Sequence, residues 1–220
     1  MRRGVPVSPH DFSGGRRTAL LIKKIQVGHI ETNCYIVSDE DTLNCAVIDP
    51  GDESNAILDY IEENKLVCGH IFITHGHFDH TMAVSAVKSE TGAAVYISER
   101  DIGLAREHNR DLRTEEVAFY KEGDVISVGG LEFHVIETPG HSLGGVTLIC
   151  EKSLFTGDTL FKDSCGRTDF DGGDMQVMQS SLRRLAMLEG DYDVYPGHMD
   201  STTLERERRF NYYMRYALET

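Results

Sequence analysis

Two kinds of hydrophobic pattern alternate along the chain and predict a mixed α/β protein. Short apolar runs rich in β-branched residues and bounded by acidic turns or glycines are typical of strands. The predicted strands are ALLIKKIQV, NCYIVSD, NCAVIDPG, HIFIT and AAVYIS in the first half, and VISVG, LEFHVIET, GVTLICE, SLFTGD and DVYPGH, with its turn, in the second.

Apolar residues three or four positions apart predict helices between these strands. Residues 54–66 present one apolar face in this way, with Ser54 as the predicted N-cap. A second predicted helix covers residues 81–92 and ends at Gly92, because glycine suits a C-cap. The remaining predicted helices cover residues 174–188 and 202–218.

Both halves of the chain contain strands and helices, and no repeat or low-complexity linker separates them. This arrangement predicts helices that cover sheets in one layered α/β domain, over residues 20–220. Residues 1–19 contain two prolines and a pair of adjacent glycines and no helix or strand pattern. They are predicted to form a flexible N-terminal extension.

Composition and charge restrict the classes of partner. A hydrophobic content of 40% predicts a packed core, and the formal net charge of −14 argues against nucleic acid or an anionic membrane as a partner. No apolar run is long enough to span a bilayer, and the N-terminus lacks the apolar core of a signal peptide. The five cysteines are odd in number and widely spaced, so a disulfide framework is not expected. Together these features predict a cytoplasmic protein and leave open a homodimer.

The segment THGHFDHT places His75, His77, Asp79 and His80 within six positions. Such side chains repel one another when charged and are costly to bury unless a cation binds them. His75 and His77 can converge only in an extended loop, because residues i and i+2 lie about 200° apart around a helix. Asp79 and His80 fall at the start of the next helix, so the segment predicts two adjacent metal positions.

Further ligands are needed, because zinc-type sites require about four donors or more. Three candidates each end a predicted strand beside a glycine that permits a tight turn, namely His141, Asp158 and His198. The first predicted ion is held by His75, His77 and His141. The second is held by Asp79, His80 and His198. Asp158 is expected to bridge the two ions. The isolated histidines, predicted to be surface or hydrogen-bonded core residues, are His29, His70, His108 and His134.

These motifs together resemble the metallo-β-lactamase fold superfamily and, within it, the glyoxalase II-like hydrolases. The resemblance runs from about residue 22 to residue 211 and is carried by TNCYIV, VIDPG, THGHFDH, TPGHS, FTGDTLF, CGRTDF and YPGH. It implies a four-layer αββα sandwich with a dinuclear metal site at the edge of the two sheets. It also implies that Asp49 orients the histidine loop without binding metal itself.

The kind of ligand implied at position 158 distinguishes branches of the superfamily. An Asp there, in place of the Cys ligand of the commonest β-lactamases, resembles the thioesterase branch and implies hydrolysis of a small-molecule thioester such as S-lactoylglutathione. Two divalent ions, zinc first with iron or manganese as alternatives, would lower the pKa of a shared water from about 15.7 towards about 7. The resulting hydroxide would attack the thioester carbonyl, with Asp79 and Asp158 as the catalytic carboxylates.

One residue of the resemblance concerns recognition of glutathione. Arg167 in SCGRTDF resembles the basic residue that meets a glutathione carboxylate, although an ion pair between Arg167 and Asp169 is the alternative. The 22 residues after His198 are expected to form one helix, where glyoxalase II has a helical domain that contacts glutathione. Met199 and Asp200 also stand where relatives usually have glycine and proline.

Two other functions remain open at this point. Persulfide dioxygenases share this fold and a segment like CGRTDF, and they bind one iron through residues like His75, His141 and Asp158. A protein that keeps its metals for stability alone is the non-enzymatic alternative, although closed structural zinc sites favour Cys-rich tetrahedra. The compact length, FTGDTLF and the TTLERER segment favour the hydrolase.

Overall fold

The computed structural model describes residues 19–219, so the predicted extension over residues 1–19 lies outside the described residues except for Ala19. The strands are β1 (Leu20–Val27), β2 (Thr32–Asp39), β3 (Asn44–Ile48), β4 (Val67–Phe72), β5 (Ala94–Ile97), β6 (Val117–Phe119), β7 (Val125–Val128), β8 (Leu131–Glu137), β9 (Val146–Cys150), β10 (Ser153–Gly157), β11 (Leu160–Phe161), β12 (Ser164–Cys165), β13 (Asp193–Pro196) and β14 (Thr202–Thr203). The α-helices are α1 (Ser54–Glu63), α2 (Phe78–Thr81), α3 (Val84–Thr91), α4 (Ile102–His108), α5 (Met175–Ala186), α6 (Leu204–Phe210) and α7 (Tyr212–Glu219). No helix in this range is long and apolar enough to cross a membrane.

Two six-stranded sheets form the centre of the molecule, with strand orders β1-β2-β3-β4-β5-β6 and β14-β13-β10-β9-β8-β7. Strands β3 to β6 are parallel to one another, and β10 is parallel to β13. Strand β8 has the same direction as β10, because both are antiparallel to β9. Within each sheet, the loops that follow strands of one direction emerge at the same edge.

Three apolar layers hold the sheets and helices together. The inner faces of the sheets meet through large aromatic residues, including Tyr35, Phe72, Phe133 and Phe155. Helices α1 and α3 pack on the outer face of the first sheet through residues such as Ile57. Helices α5 and α7 cover the outer face of the second sheet, where the buried side chains include Met178, Leu182 and Met214. The order of layers is therefore αββα, as predicted.

The boundaries of the first two helices differ in part from the prediction. Ser54 is the first helical residue, and the N-cap is Glu53, with a φ of 43°, so the predicted N-cap was wrong by one position. The Glu53 carboxylate accepts a hydrogen bond from the Gly28 N–H at 2.6 Å, which ties it to the turn after β1. The second predicted helix, over residues 81–92, corresponds to α3, and only its first residue, Thr81, belongs to α2. It ends at the predicted Gly92, whose φ of 71° is suited to glycine.

The predicted final helix over residues 202–218 was also wrong, because its first two residues form β14 and the remainder is broken at Asn211. Asn211 is fully buried, and its amide group donates hydrogen bonds to the carbonyl oxygens of Phe161 and Ser164. Its side-chain oxygen accepts hydrogen bonds from the N–H groups of Tyr213 and Met214, which caps α7. The contacts of Asn211 with the β11–β12 hairpin thus interrupt a helix that the apolar spacing predicts to be continuous.

Candidate metal centre

The seven side chains predicted as ligands converge at one edge of the two sheets. They follow β4 (His75 and His77), lie in α2 (Asp79 and His80), or follow β8 (His141), β10 (Asp158) and β13 (His198). Their ligand atoms form three overlapping groups, each within 4.8 Å, which are His75/His77/His141, His75/His80/Asp158 and Asp79/His80/His198. Strands of common direction in the two sheets therefore supply side chains from distant parts of the sequence to one site.

Asp158 lies between the two predicted ion positions. Its Oδ2 is 3.4 Å from Nε2 of His141 and 3.6 Å from Nε2 of His198, and its Oδ1 is 3.5 Å from Nε2 of His80. A Cβ on Gly197 would lie only 2.3 Å from Oδ1 of Asp158, so glycine is required at this point of the β13 loop. The carboxylate is thus in position to bridge two cations.

Several buried polar atoms directed into the site lack a hydrogen bond. Nε2 of His75, Nε2 of His80 and Oδ1 of Asp158 are buried and make no hydrogen bond with any described residue. An unsatisfied buried polar group costs about 1–3 kcal/mol, and a bound cation removes that cost for a nitrogen lone pair or a carboxylate oxygen. The imidazole and carboxylate donors therefore fit divalent zinc, iron or manganese.

The electrostatics of the site divide the histidines into two classes. Burial and neighbouring imidazoles lower the pKa of His75 well below its ordinary value and lower the pKa of His77 to about 4. Burial would also lower the pKa of His80 and His198, but nearby carboxylates, including Asp158, raise both above the ordinary value. The carboxylates thus favour positive charge here, and a metal ion supplies it without a proton.

Asp79 is held firmly at the second predicted ion position. Its Oδ2 lies 3.2 Å from Nε2 of both His80 and His198 and accepts a hydrogen bond from the Thr32 hydroxyl at 2.8 Å. Although burial alone would raise it, the interactions with His198 and His80 hold the pKa of Asp79 far below its ordinary value. This carboxylate is therefore an anion at neutral pH.

Groups that do not face the site centre fix the orientation of the histidine rings. Asp49 accepts hydrogen bonds from the Thr74 N–H and hydroxyl, each at 2.7 Å, and from Nδ1 of His80 at 3.0 Å. Nδ1 of His75 is 3.2 Å from the Thr74 hydroxyl. When Nδ1 of each ring donates these hydrogen bonds, Nε2 of each ring carries a lone pair directed into the site. Asp49 thus contacts both the start of the histidine loop and the His80 ring.

Arg167 lies next to the site, and its backbone and side chain make separate contacts. Its carbonyl oxygen accepts a hydrogen bond from Nδ1 of His141 at 2.7 Å, a contact that sequence reasoning missed. Its guanidinium makes two hydrogen bonds of 2.7 Å to Asp169 and lies 4.0 Å from the centroid of the Phe170 ring. The ion pair considered as the alternative is therefore present, with both partners exposed to solvent.

Sequence reasoning also missed Asp101, which is buried and accepts hydrogen bonds from Gly76, Ser142 and Gly144. No signal distinguished it, because an acid just before a helix is common on any surface. Thr32 lies inside the TNCYIV motif, but nothing local marked its contact with Asp79. The isolated histidines do not join the seven convergent residues, although His70 and His134 are half-buried.

Comparison with known proteins adds independent information. Residues 27–198 match the family model described as the metallo-beta-lactamase superfamily. Hydroxyacylglutathione hydrolase GloC of Haemophilus influenzae is 34% identical over 204 residues, covering 86% of this chain and 96% of GloC.

Solved structures with related sequences also superpose on the fold. The BLEG-1 B3 metallo-beta-lactamase has a TM-score of 0.79 and 31% identity, covering 88% of this chain and 99% of BLEG-1. ETHE1 from Myxococcus xanthus has a TM-score of 0.77 and 30% identity, covering 87% of this chain and 83% of ETHE1.

Proposed function

Because the chain belongs to the metallo-β-lactamase superfamily, we propose that it is a metal-dependent hydrolase of glutathione thioesters of the S-lactoylglutathione type. The observation that carries the proposal is the position of Asp158 beside His80, His141 and His198. Buried Nε2 atoms of His75 and His80 in the same site make no hydrogen bond with a described residue. The similarity to GloC supports the choice of a glutathione thioester as substrate.

Some residues of the site would bind the metal ions, and others would orient these ligands. Two divalent ions held there would supply Lewis acidity towards the thioester carbonyl and would activate water for attack. Asp49, Thr74 and the Arg167 carbonyl hold the imidazole rings, and Thr32 holds Asp79. We assign Asp79 and Asp158 as the carboxylates beside the reacting atoms. A thiol with a pKa of about 8.5 leaves as a thiolate, so no strong general acid is needed.

We propose that Arg167 binds a carboxylate of glutathione. The Arg167–Asp169 pair is exposed, and an exposed ion pair contributes only about 0–1 kcal/mol, so a substrate carboxylate can displace Asp169. The Phe170 ring lies between this guanidinium and the site, with its centroid 5.6 Å from that of His77. Arg167 is therefore close enough to the site to hold the substrate by its peptide portion.

The direct test is hydrolysis of S-D-lactoylglutathione by the purified protein, before chelation, after chelation, and after addition of zinc, manganese or ferrous iron. We expect turnover that disappears on chelation and returns with at least one metal. A β-lactam should be tested in parallel because of the similarity to BLEG-1. Metal-dependent cleavage of the β-lactam without cleavage of any thioester would contradict the proposal.

A second candidate function is oxidation of glutathione persulfide by dioxygen at a single iron. The resemblance of the segment CGRTDF to that of the persulfide dioxygenases favours it. Two histidines and one carboxylate, such as His75, His141 and Asp158, suit ferrous iron. Oxygen consumption by the iron-loaded protein with glutathione persulfide, in the absence of thioester hydrolysis, would establish this function instead.

Replacement of Arg167 tests substrate recognition. We expect Arg167→Ala to raise the KM for S-lactoylglutathione about tenfold, because a charge-assisted contact is lost, and to change the KM for a simple acyl thioester much less. Lys162→Ala is the matched control, since Lys162 is a nearby exposed cation that lies 3.4 Å from Asp200. An equal rise of KM for both thioesters would mean that Arg167 only pairs with Asp169.

A cytoplasmic location is part of the same proposal, since reduced glutathione and its thioesters are found inside cells. The net charge of −14 supports a small-molecule substrate in preference to nucleic acid. Metal content and fractionation of the native protein would test the location together with the choice among zinc, iron and manganese.

A further inference from the structure

A buried carboxylate outside the seven predicted ligands joins two of the loops that carry them. Asp101 lies just before α4 and is only 1% exposed. Its Oδ2 accepts hydrogen bonds from the Gly76 N–H at 2.9 Å and the Ser142 hydroxyl at 2.7 Å. Its Oδ1 accepts a hydrogen bond from the Gly144 N–H at 2.6 Å.

The partners of Asp101 are adjacent in sequence to predicted ligands. Gly76 separates His75 from His77, and Ser142 follows His141. These two loops belong to different sheets, since one follows β4 and the other follows β8. One carboxylate thus fixes the relative position of the three imidazoles that form the first predicted ion position.

The packing around Asp101 leaves the loops little freedom to move. A Cβ on Gly76 would lie 2.5 Å from the Asp101 carbonyl oxygen, and a Cβ on Gly144 would lie 2.8 Å from Oδ1 of Asp101. At Gly76 and Gly144, both loops therefore come so close to Asp101 that no side chain would fit between them. No Lys, Arg or His among residues 19–219 forms an ion pair with Asp101, so these neutral donors must stabilise its charge.

We propose that Asp101 is a positioning residue that sets the metal affinity of the group His75, His77 and His141. It binds no metal itself. It holds the histidine loop and the β8 loop at the separation that three imidazole ligands of one ion require. The inference rests on the proposed metal centre and is independent of the substrate, so it can fail or succeed whatever the protein hydrolyses.

The test is the affinity of Asp101→Asn for divalent ions, measured by competition with a chromophoric chelator. An amide offers one acceptor in place of two and presents N–H to donors, so at least one of the three hydrogen bonds is lost. We expect the affinity of one of the two ions to fall about 10–100-fold, which is typical when a group supporting a metal ligand is removed. The other ion, held by Asp79, His80 and His198, should change much less, and the visible spectrum of bound Co²⁺ should show which position is altered.

Asp39→Asn is the matched control for a general loss of stability. Asp39 is also a buried carboxylate with three hydrogen bonds, from the Asp41 N–H, the Thr42 hydroxyl and the Gly130 N–H, and it lies at the end of β2 away from the site. Both variants should lower the thermal stability of the metal-free protein. Only Asp101→Asn should weaken metal binding.

Unchanged affinity for both ions in folded Asp101→Asn would overturn the proposal, and so would an equal loss at both positions. If Asp101→Asn does not fold, Ser142→Ala removes one of the three hydrogen bonds and leaves the carboxylate in place. We expect it to weaken the same ion by severalfold, and an unchanged affinity would again overturn the proposal. Hydrolysis is not needed as a readout, so failure here is distinct from failure of the thioester assignment.

Discussion

At the scale of single residues, the candidate site depends on the negative charge of Asp158 and on the small size of Gly197. The Asp158 carboxylate lies 3.4 to 3.6 Å from Nε2 of three histidines, one in α2 and two in the loops after β8 and β13. Gly197 leaves the space that the Asp158 carboxylate and the His80 ring occupy. Met199 nearby adopts a φ of 69°, a conformation that favours glycine.

Asp158→Asn is expected to lose one of the two metal ions and most of the hydrolytic activity. An amide is neutral and offers one acceptor oxygen, so it cannot bridge two cations as a carboxylate does. Metal content by elemental analysis, together with kcat, measures both effects. Asp200→Asn is the control, because Asp200 is exposed and near the site. Retention of both ions at the full rate would exclude Asp158 as the bridge.

Gly197→Ala is expected to reduce metal content while the protein remains folded. The added Cβ would lie 2.3 Å from Oδ1 of Asp158 and 2.7 Å from Cε1 of His80, so at least one of these side chains must move. Gly103→Ala is the matched control, because a Cβ at Gly103 meets no atom within 4 Å. A normal metal content in Gly197→Ala would show that the loop can move without disturbing the site.

At the scale of secondary-structure elements, loops are held in place by buried polar side chains. Asn211 ends α6, caps α7 and holds the β11–β12 hairpin, which follows Asp158 closely in sequence. Asp39 at the end of β2 accepts a hydrogen bond from the Gly130 N–H in the β7–β8 turn and so joins the two sheets. Each contact links elements that are distant in sequence.

Asp39 also gives the fold a predicted dependence on pH. Burial alone would raise the pKa of its carboxyl, but hydrogen bonds from the Thr42 hydroxyl, the Gly130 N–H and the Asp41 N–H lower it below the ordinary value. Its stabilisation is therefore present above about pH 4, the unfolded pKa, and is lost as the pH falls through the lower folded pKa. We expect Asp39→Asn to reduce the free energy of unfolding by about 1–3 kcal/mol at pH 7.

Denaturant titrations of both proteins at several pH values would check this expectation. The difference in free energy of unfolding between the native protein and Asp39→Asn should shrink below about pH 4. A difference that stays constant from pH 7 to pH 3 would mean that the Asp39 charge contributes nothing.

At the scale of the whole molecule, the apolar cores are separate from the metal centre. The three clusters of buried apolar side chains lie between the two sheets and on their two outer faces, whereas the predicted ligands converge at the edge of the sheets. The hydrophobic driving force for the αββα arrangement therefore does not need the ions. A metal that holds a small domain together, by contrast, supplies much of the free energy of folding itself.

The metal-free protein is therefore expected to remain folded, with a lower Tm than the metal-loaded protein. Ligand binding at 100 times the Kd stabilises a protein by about 2.7 kcal/mol, so a shift of several degrees is expected on reloading. Circular dichroism during thermal unfolding of chelated and reloaded protein measures this effect. Complete unfolding on chelation would favour the non-catalytic alternative, in which the metals serve stability alone.

The sequence by itself was enough to identify the α/β class, most strands and the seven candidate ligands. Strand periodicity and the crowding of HGHFDH are local properties, readable without knowing the fold. Tertiary structure decided the N-cap of α1, the break at Asn211, the contact of the Arg167 carbonyl with His141, and the role of Asp101 between two loops. The physical reason is that these features depend on hydrogen bonds between residues far apart in the chain. Such bonds leave no period or motif in the sequence, because they join elements that only the tertiary fold brings together.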